Sequence, residues 1–101
     1  MPIVPTREIL TRAFEARYGV AAFNVVNDLT LDAVMSAAEA LSAPVIIQTS
    51  VKTVKAAGPA VLAALFRARA ATSPIPAALH LDHCPDRSMI TTCLRHGWNS
   101  V

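Results

Sequence analysis

The chain has 101 residues, enough for one small domain or for part of a larger one and too few for two domains of ordinary size. Apolar residues make up 53% and charged residues 16%, which excludes a disordered tail. A net charge of +2 without any Lys/Arg run, together with 5% aromatics, gives nucleic-acid binding no support, and no apolar run reaches the ~18 residues of a membrane span.

The amino terminus, MPIVPTREIL, has neither a basic leader nor a long apolar core, so a cytoplasmic location is expected. Ile9, Leu10, Ala13, Phe14 and Tyr18 recur at helical spacing, predicting an amphipathic helix over about 6–18 that ends at Gly19 as a left-handed cap. Val20 to Asn24 reads as a short strand. After the candidate caps Asn27 and Asp28, the residues Leu31, Val34, Met35, Ala38 and Leu41 restart the helical period. Pro44 to Gln48 is β-branched and apolar on both sides, as suits a strand of a parallel sheet covered on both faces.

Residues 49–57 read as a polar loop in which Lys52 and Lys55 are solvated charges, and Gly58-Pro59 opens a helix with Val61, Leu62, Leu65 and Phe66 as its apolar stripe. Ser73 to Pro76 ends that helix. Ala77 to Asp82 is a third strand, and Pro85 and Asp86 open a helix carrying Met89, Ile90, Cys93 and Leu94 that closes at His96-Gly97. A fourth strand is expected near Trp98. Each interval between strands leaves room for one helical crossover, giving a βαβαβαβ series with a helix in front. Such a series fits a four-stranded open sheet or the first half of an eight-stranded barrel. Because it stops at Val101 inside an apparent strand, we read residues 1–101 as one unit, the amino-terminal half of a (β/α)8 TIM barrel containing its first four strands. A half barrel exposes edge strands and an apolar inner face, so self-association or poor solubility is expected.

Residues two apart on a strand share a face, so the carboxyl end of each strand shows what it presents to one side. Asn24 is in phase with Ala22 and Val20, Gln48 with Ile46 and Ser50, and Asp82 with His80 and Ala78, while Phe23, Ile47 and Leu81 point the other way toward helices. Three successive strands thus end in polar groups on one face, and barrel enzymes carry their chemistry at that end. The alternative is a set of buried polar groups satisfied by hydrogen bonds. His80-Leu81-Asp82-His83 is the segment densest in reactive groups. His80 and His83 fall on opposite faces unless the strand ends between them, so this segment offers one metal ligand and no chelate. His83 is a candidate zinc ligand and Asp82 a candidate acid/base.

Several stretches resemble one family: PIVPTREIL, GVAAFNV (19–25), SAPVIIQTS (42–50), ALHLDH (78–83) and CLRHGWNSV (93–101) are similar to the amino-terminal part of class II, zinc-dependent ketose-bisphosphate aldolases. The resemblance spans essentially the whole chain, and HLDH after a strand is its most specific element. It implies a TIM barrel that cleaves fructose 1,6-bisphosphate, tagatose 1,6-bisphosphate or a related phosphorylated ketose to dihydroxyacetone phosphate and an aldehyde, as a homo-oligomer, dimer or tetramer. Position by position, it implies that Asp82 exchanges a proton with the substrate C4 hydroxyl and that His83 is one of three histidine ligands of Zn2+. Asn24, Gln48 and Ser50 match substrate-binding polar residues, with Ser50 a direct contact, and His80 is read either as a group that orients Asp82 from behind or as a plain buried histidine. Many members carry glycine after HLDH where this chain has Cys84, which leaves the subfamily and its substrate open.

The resemblance further implies two zinc histidines, a second carboxylate and glycine-rich phosphate loops that these 101 residues do not contain, so the chain alone is expected to be inactive and its full-length parent to be the aldolase. Two other readings compete: a metal hydrolase using Asp82 and His83 on a water, and a non-catalytic half-barrel binding module. Glycines stand at 19, 58 and 97 only, so no nucleotide-binding fingerprint is present. Cys84 and Cys93 match no common zinc-module spacing and are expected as reduced thiols, Cys93 as a small buried hydrophobe.

Overall fold

A computed structural model of the chain describes residues 2–101. Three strands, β1 (Ala21–Asn24), β2 (Val45–Ser50) and β3 (Ala77–Asp82), form a parallel sheet in that order. α1 (Thr6–Ala16) precedes it, α2 (Asp28–Ala40) crosses from β1 to β2, and α3 (Val51–Ala57) and α4 (Pro59–Ala70) cross from β2 to β3. α5 (Arg87–His96) follows β3.

Local chemistry sets most of these boundaries. The Asn27 side chain accepts from the Thr30 backbone N–H while the Thr30 hydroxyl accepts from the Asn27 N–H, a reciprocal cap that starts α2. Pro59 opens α4, where its missing N–H costs nothing. Asp86 caps α5 by accepting from the N–H groups of Ser88 and Met89, and Gly97 ends it at φ 113°, a conformation that favours glycine.

The packing divides the sheet into two faces. Val45, Ile47 and Thr49 of β2 and Ala77, Leu79 and Leu81 of β3 are buried; their apolar members pack with Leu31, Met35, Leu62, Phe66 and Cys93 of the surrounding helices. Trp98 joins that core and donates its indole N–H to the buried Thr49 hydroxyl at 3.0 Å. On the other face, Val4 and Ile9 meet Ala78, so α1 covers the amino end of that side. Outside the core, Arg69 of α4 reaches across to Asp32 and Glu39 of α2 at 2.7 Å each, and the Ser73 hydroxyl donates to Glu39. These donors hold the Glu39 carboxyl down at about 2. No helix among the described residues is long and apolar enough to cross a membrane.

Five expectations are corrected. Residues 51–57 form α3 rather than a loop, because Ser50 accepts from the Thr53 N–H and caps a turn that polar composition hides. α1 ends at Ala16 with Arg17, not Gly19, in the left-handed region at φ 61°. Of the predicted α1 stripe only Ile9 and Ala13 are buried; Phe14 is 86% exposed, and Leu10 and Tyr18 are also exposed. Val61 and Leu41 likewise face outward. The fourth strand is reduced to one bridge, Ser100 beside His80, because the Asn99 side chain takes the Leu79 N–H and interrupts a regular ladder.

Candidate active site

The register aligns the polar residues in rows across the sheet. Ala22, Ile46 and Ala78 form the lowest row, Asn24, Gln48 and His80 the next, and Ser50 and Asp82 the row at the carboxyl edge. Asn24, Gln48 and Asp82 touch: the Gln48 amide N–H donates to Asn24 Oδ1 at 3.0 Å, and the Asn24 amide N–H donates to Asp82 Oδ2 at a longer 3.4 Å. The Gln48 bond fixes which way the Asn24 amide faces, so its N–H₂ rather than its carbonyl meets the carboxylate.

Asp82 lies at the end of β3 with its side chain 25% exposed, and His83 Nε2 stands 3.7 Å from Asp82 Oδ1. His83 is where β3 stops. Its φ is 50°, a left-handed backbone that a non-glycine residue adopts at a cost, and its side chain is 93% exposed. The imidazole has no packing role, so it stands free at the rim.

Ser50 is in register with Asp82, but its hydroxyl is engaged: it accepts from the Thr53 N–H at 3.2 Å and donates to the Thr53 hydroxyl at 3.1 Å. No hydrogen bond joins His80 to Asp82 among the described residues. His80 Nδ1 pairs with the Ser100 hydroxyl at 2.7 Å, and Ser100 in turn pairs with the Thr6 hydroxyl at 2.9 Å. The strand period placed His80 on the correct face but could not name its partner. Ser100 and Thr6 went unrecognised, since Thr6 lies 94 positions from Ser100 and nothing local marks it.

Beside the site, the Cys84 thiol donates to the Asp86 carbonyl oxygen, and Asp86 is held below the usual carboxylate range by the hydroxyl and N–H of Ser88. Cys93 is buried, which pushes its thiol up. Catalytic zinc sites take three protein ligands. Among the described residues no three of His, Cys, Asp and Glu converge on a point that could hold a metal ion. The residues present therefore do not make a zinc site by themselves, and His83 offers a single free donor.

The family described as fructose-bisphosphate aldolase class-II matches residues 4–101. The chain is 41% identical over 102 aligned residues to a fructose-bisphosphate aldolase of Cupriavidus necator, covering 100% of this chain and 30% of that protein. It is 31% identical to a sulfofructosephosphate aldolase of Alkalicoccus urumqiensis, covering 100% of this chain and 35% of that one. The crystal structure of the YdjI aldolase from Escherichia coli K12 superposes with a TM-score of 0.88 at 28% identity over 96% of this chain and 38% of its own. The chain thus spans about 30% of the length of the first curated relative it matches. Its sheet and helices are consistent with an amino-terminal part of a TIM barrel.

Proposed function

Because the chain belongs to the class-II fructose-bisphosphate aldolase family, we propose that it is the part of a metal-dependent aldolase that carries the proton-exchanging carboxylate and the first metal-ligating histidine. The reaction is reversible cleavage of a ketose 1,6-bisphosphate to dihydroxyacetone phosphate and an aldehyde. The observation that carries this reading is the contact of Asn24, Gln48 and Asp82 at the carboxyl edge of the sheet, with the exposed His83 next to them.

Cleavage requires the C4 hydroxyl to lose its proton as the bond between C3 and C4 breaks, leaving C4 as the aldehyde carbon and the bonding electron pair on C3, delocalised into the C2 carbonyl as the enediolate of dihydroxyacetone phosphate. Asp82 takes that proton. Asn24 holds the carboxylate through Oδ2 and Gln48 holds Asn24, so the group is oriented before substrate arrives. His83 would be one ligand of a bound zinc, with the others from the part of the longer relatives that this chain does not cover, and the ion would polarise the ketose carbonyl. Ser50 contacts substrate by exchanging its bond to the Thr53 hydroxyl, and α3 keeps its cap through the Thr53 N–H. The chain alone is inactive, and the complete enzyme is a cytoplasmic homo-oligomer.

The test is a chimera in which residues 1–101 replace the matching segment of the Cupriavidus necator aldolase, assayed for triose phosphate release from fructose and tagatose bisphosphates. Cleavage that is lost with a chelator and falls by about 10²–10⁴ with Asp82→Ala supports the reading. A folded chimera that cleaves equally well with Asp82→Ala overturns the role of Asp82. Release of inorganic phosphate without carbon-carbon cleavage points to a hydrolase instead.

A further inference from the structure

α1 has one wide apolar face, and the sheet covers only half of it. Ile9 and Ala13 are buried, Ile9 against Val4 and Ala78. Leu10 and Phe14, also four residues apart, form the neighbouring stripe of the same helix and are 49% and 86% exposed. Apolar stripes that lie side by side on a helix are ordinarily buried together.

The placement of α1 shows where the missing cover belongs. Residues 2–4 run beside the amino end of β3, where the Val4 N–H donates to the Ala77 carbonyl and the Ala77 N–H donates to that of Pro2. Ala78 is in phase with His80 and Asp82, so α1 lies on the face of the sheet that carries the candidate site, at the opposite end of the strands. A hydrogen bond of 2.9 Å between the Thr6 and Ser100 hydroxyls holds the start of α1 beside the bridge from Ser100 to His80. Leu10, Thr11 and Phe14 line an open cleft there together with Asn99 and Ser100. At the other edge of the sheet, all four residues of β1 are exposed.

We propose that α1 plugs the amino end of a closed barrel, with Leu10 and Phe14 packed against apolar, inward-facing residues at the amino ends of strands supplied by the rest of a longer parent. This rests on the reading of the chain as part of such a parent; it spans 30% of the first curated relative. When the sheet closes, the face bearing Ala78, His80 and Asp82 becomes the inner wall, and the outer stripe of α1 comes to lie inside. A second copy of this chain is a poorer occupant. An aromatic side chain buries at most about 250 Å², and a stable interface between copies needs roughly 800 Å² from each partner. A partner on the same chain needs no such area, because no translational freedom is lost when the two meet.

The test compares one substitution in two settings. In the 101-residue chain, Phe14→Ala should leave Tm unmoved or slightly raised, since the ring is in water there and alanine is the better helix former. In the chimera the same change should lower Tm by about 5–10 °C, the loss expected of a buried aromatic, and Phe14→Leu should recover most of it. Phe14→Cys gives a second reading that needs no unfolding: the introduced thiol should react with a maleimide in the 101-residue chain and lose that reactivity in the folded chimera, scored apart from Cys84 and Cys93 by mass spectrometry. A chimera whose Tm ignores Phe14→Ala, or whose introduced thiol reacts as freely as in the 101-residue chain, overturns the proposal. So does a dimer of the 101-residue chain that Phe14→Ala dissociates while the chimera is indifferent, which assigns the face to a second copy. None of these readouts uses cleavage. A chimera that folds with position 14 protected yet cleaves nothing sinks the aldolase reading and leaves the plug standing.

Discussion

Along β3, neighbouring residues live under opposite rules. Leu79 and Leu81 point into the helix layer and are 2% and 1% exposed, whereas His80 and Asp82, one position further on in each case, stand on the face whose carboxyl end is open. The packed side is apolar and closed by α4, α5 and Trp98. The open side meets polar partners: Ser100 for His80, Asn24 for Asp82. Period-two alternation lets one strand anchor a core and hold a reactive group without either compromising the other. Stability and chemistry should therefore be separable by substitutions one residue apart.

The largest effect on stability is expected on the packed side. Leu81→Ala removes a buried side chain and should cost about 2–5 kcal/mol, enough to threaten folding of so small a chain. Asp82→Ala, one residue away, should change stability by no more than about 0.5 kcal/mol. Urea denaturation followed by the fluorescence of Trp98, the single tryptophan, reads both. Equal losses from the two variants would show that the open face carries packing energy after all.

Thr49 sharpens the contrast because it is a polar residue on the packed side. Its hydroxyl is the acceptor for the Trp98 indole, and Thr49→Val keeps the shape while leaving that buried N–H unpaired. The expected cost is about 1–3 kcal/mol. Unmoved Trp98 emission without loss of stability would mean the indole finds another partner.

Glu39 tests whether the outer helices obey the same division. Its carboxyl lies at about 2 in the folded chain against an ordinary 4.5, so its contribution is fully present above about 4.5 and is lost as pH falls through that window toward 2. Glu39→Gln should remove this part of the acid sensitivity and flatten the denaturation midpoint between pH 4.5 and 2. A variant with the unmodified acid profile would place the sensitivity on other carboxylates.

Much of this was legible in the residues. β3 occupies 77–82 as read, because a run of alternating apolar and polar residues flanked by Pro76 and the turn at His83 admits little else. Asn27, Pro59 and Gly97 marked helix ends by chemistry that acts locally. α3 was not legible, since Val51 to Ala57 has little apolar periodicity and its start rests on Ser50 and Thr53, a cap that polar composition resembles a loop in hiding. The α1 stripe misled because only Ile9 and Ala13 of it are buried, Ile9 against Val4 and Ala78. At the site, alternation identified the face shared by Asn24, Gln48, His80 and Asp82. It could not tell that Gln48 binds Asn24 or that His80 binds Ser100, because those contacts are made between strands and segments far apart in the chain.

The smallest stability effect belongs to the residue where β3 ends. His83 is held at φ 50° with almost all of its side chain in solvent, so its imidazole contributes no packing and its 3.7 Å approach to Asp82 is too exposed to weigh. Glycine relieves the left-handed backbone, worth roughly 1 kcal/mol, and gives back roughly 0.5–1 kcal/mol through its freedom in the unfolded chain. His83→Gly should therefore leave stability within about 0.5 kcal/mol of the parent while removing the one donor that stands free at the rim. In the chimera, zinc content and bisphosphate cleavage should fall together with the denaturation midpoint unmoved. If zinc and cleavage survive, His83 is a turn residue and the strained backbone serves the fold alone; if they are lost at constant stability, the strain is there to present the imidazole.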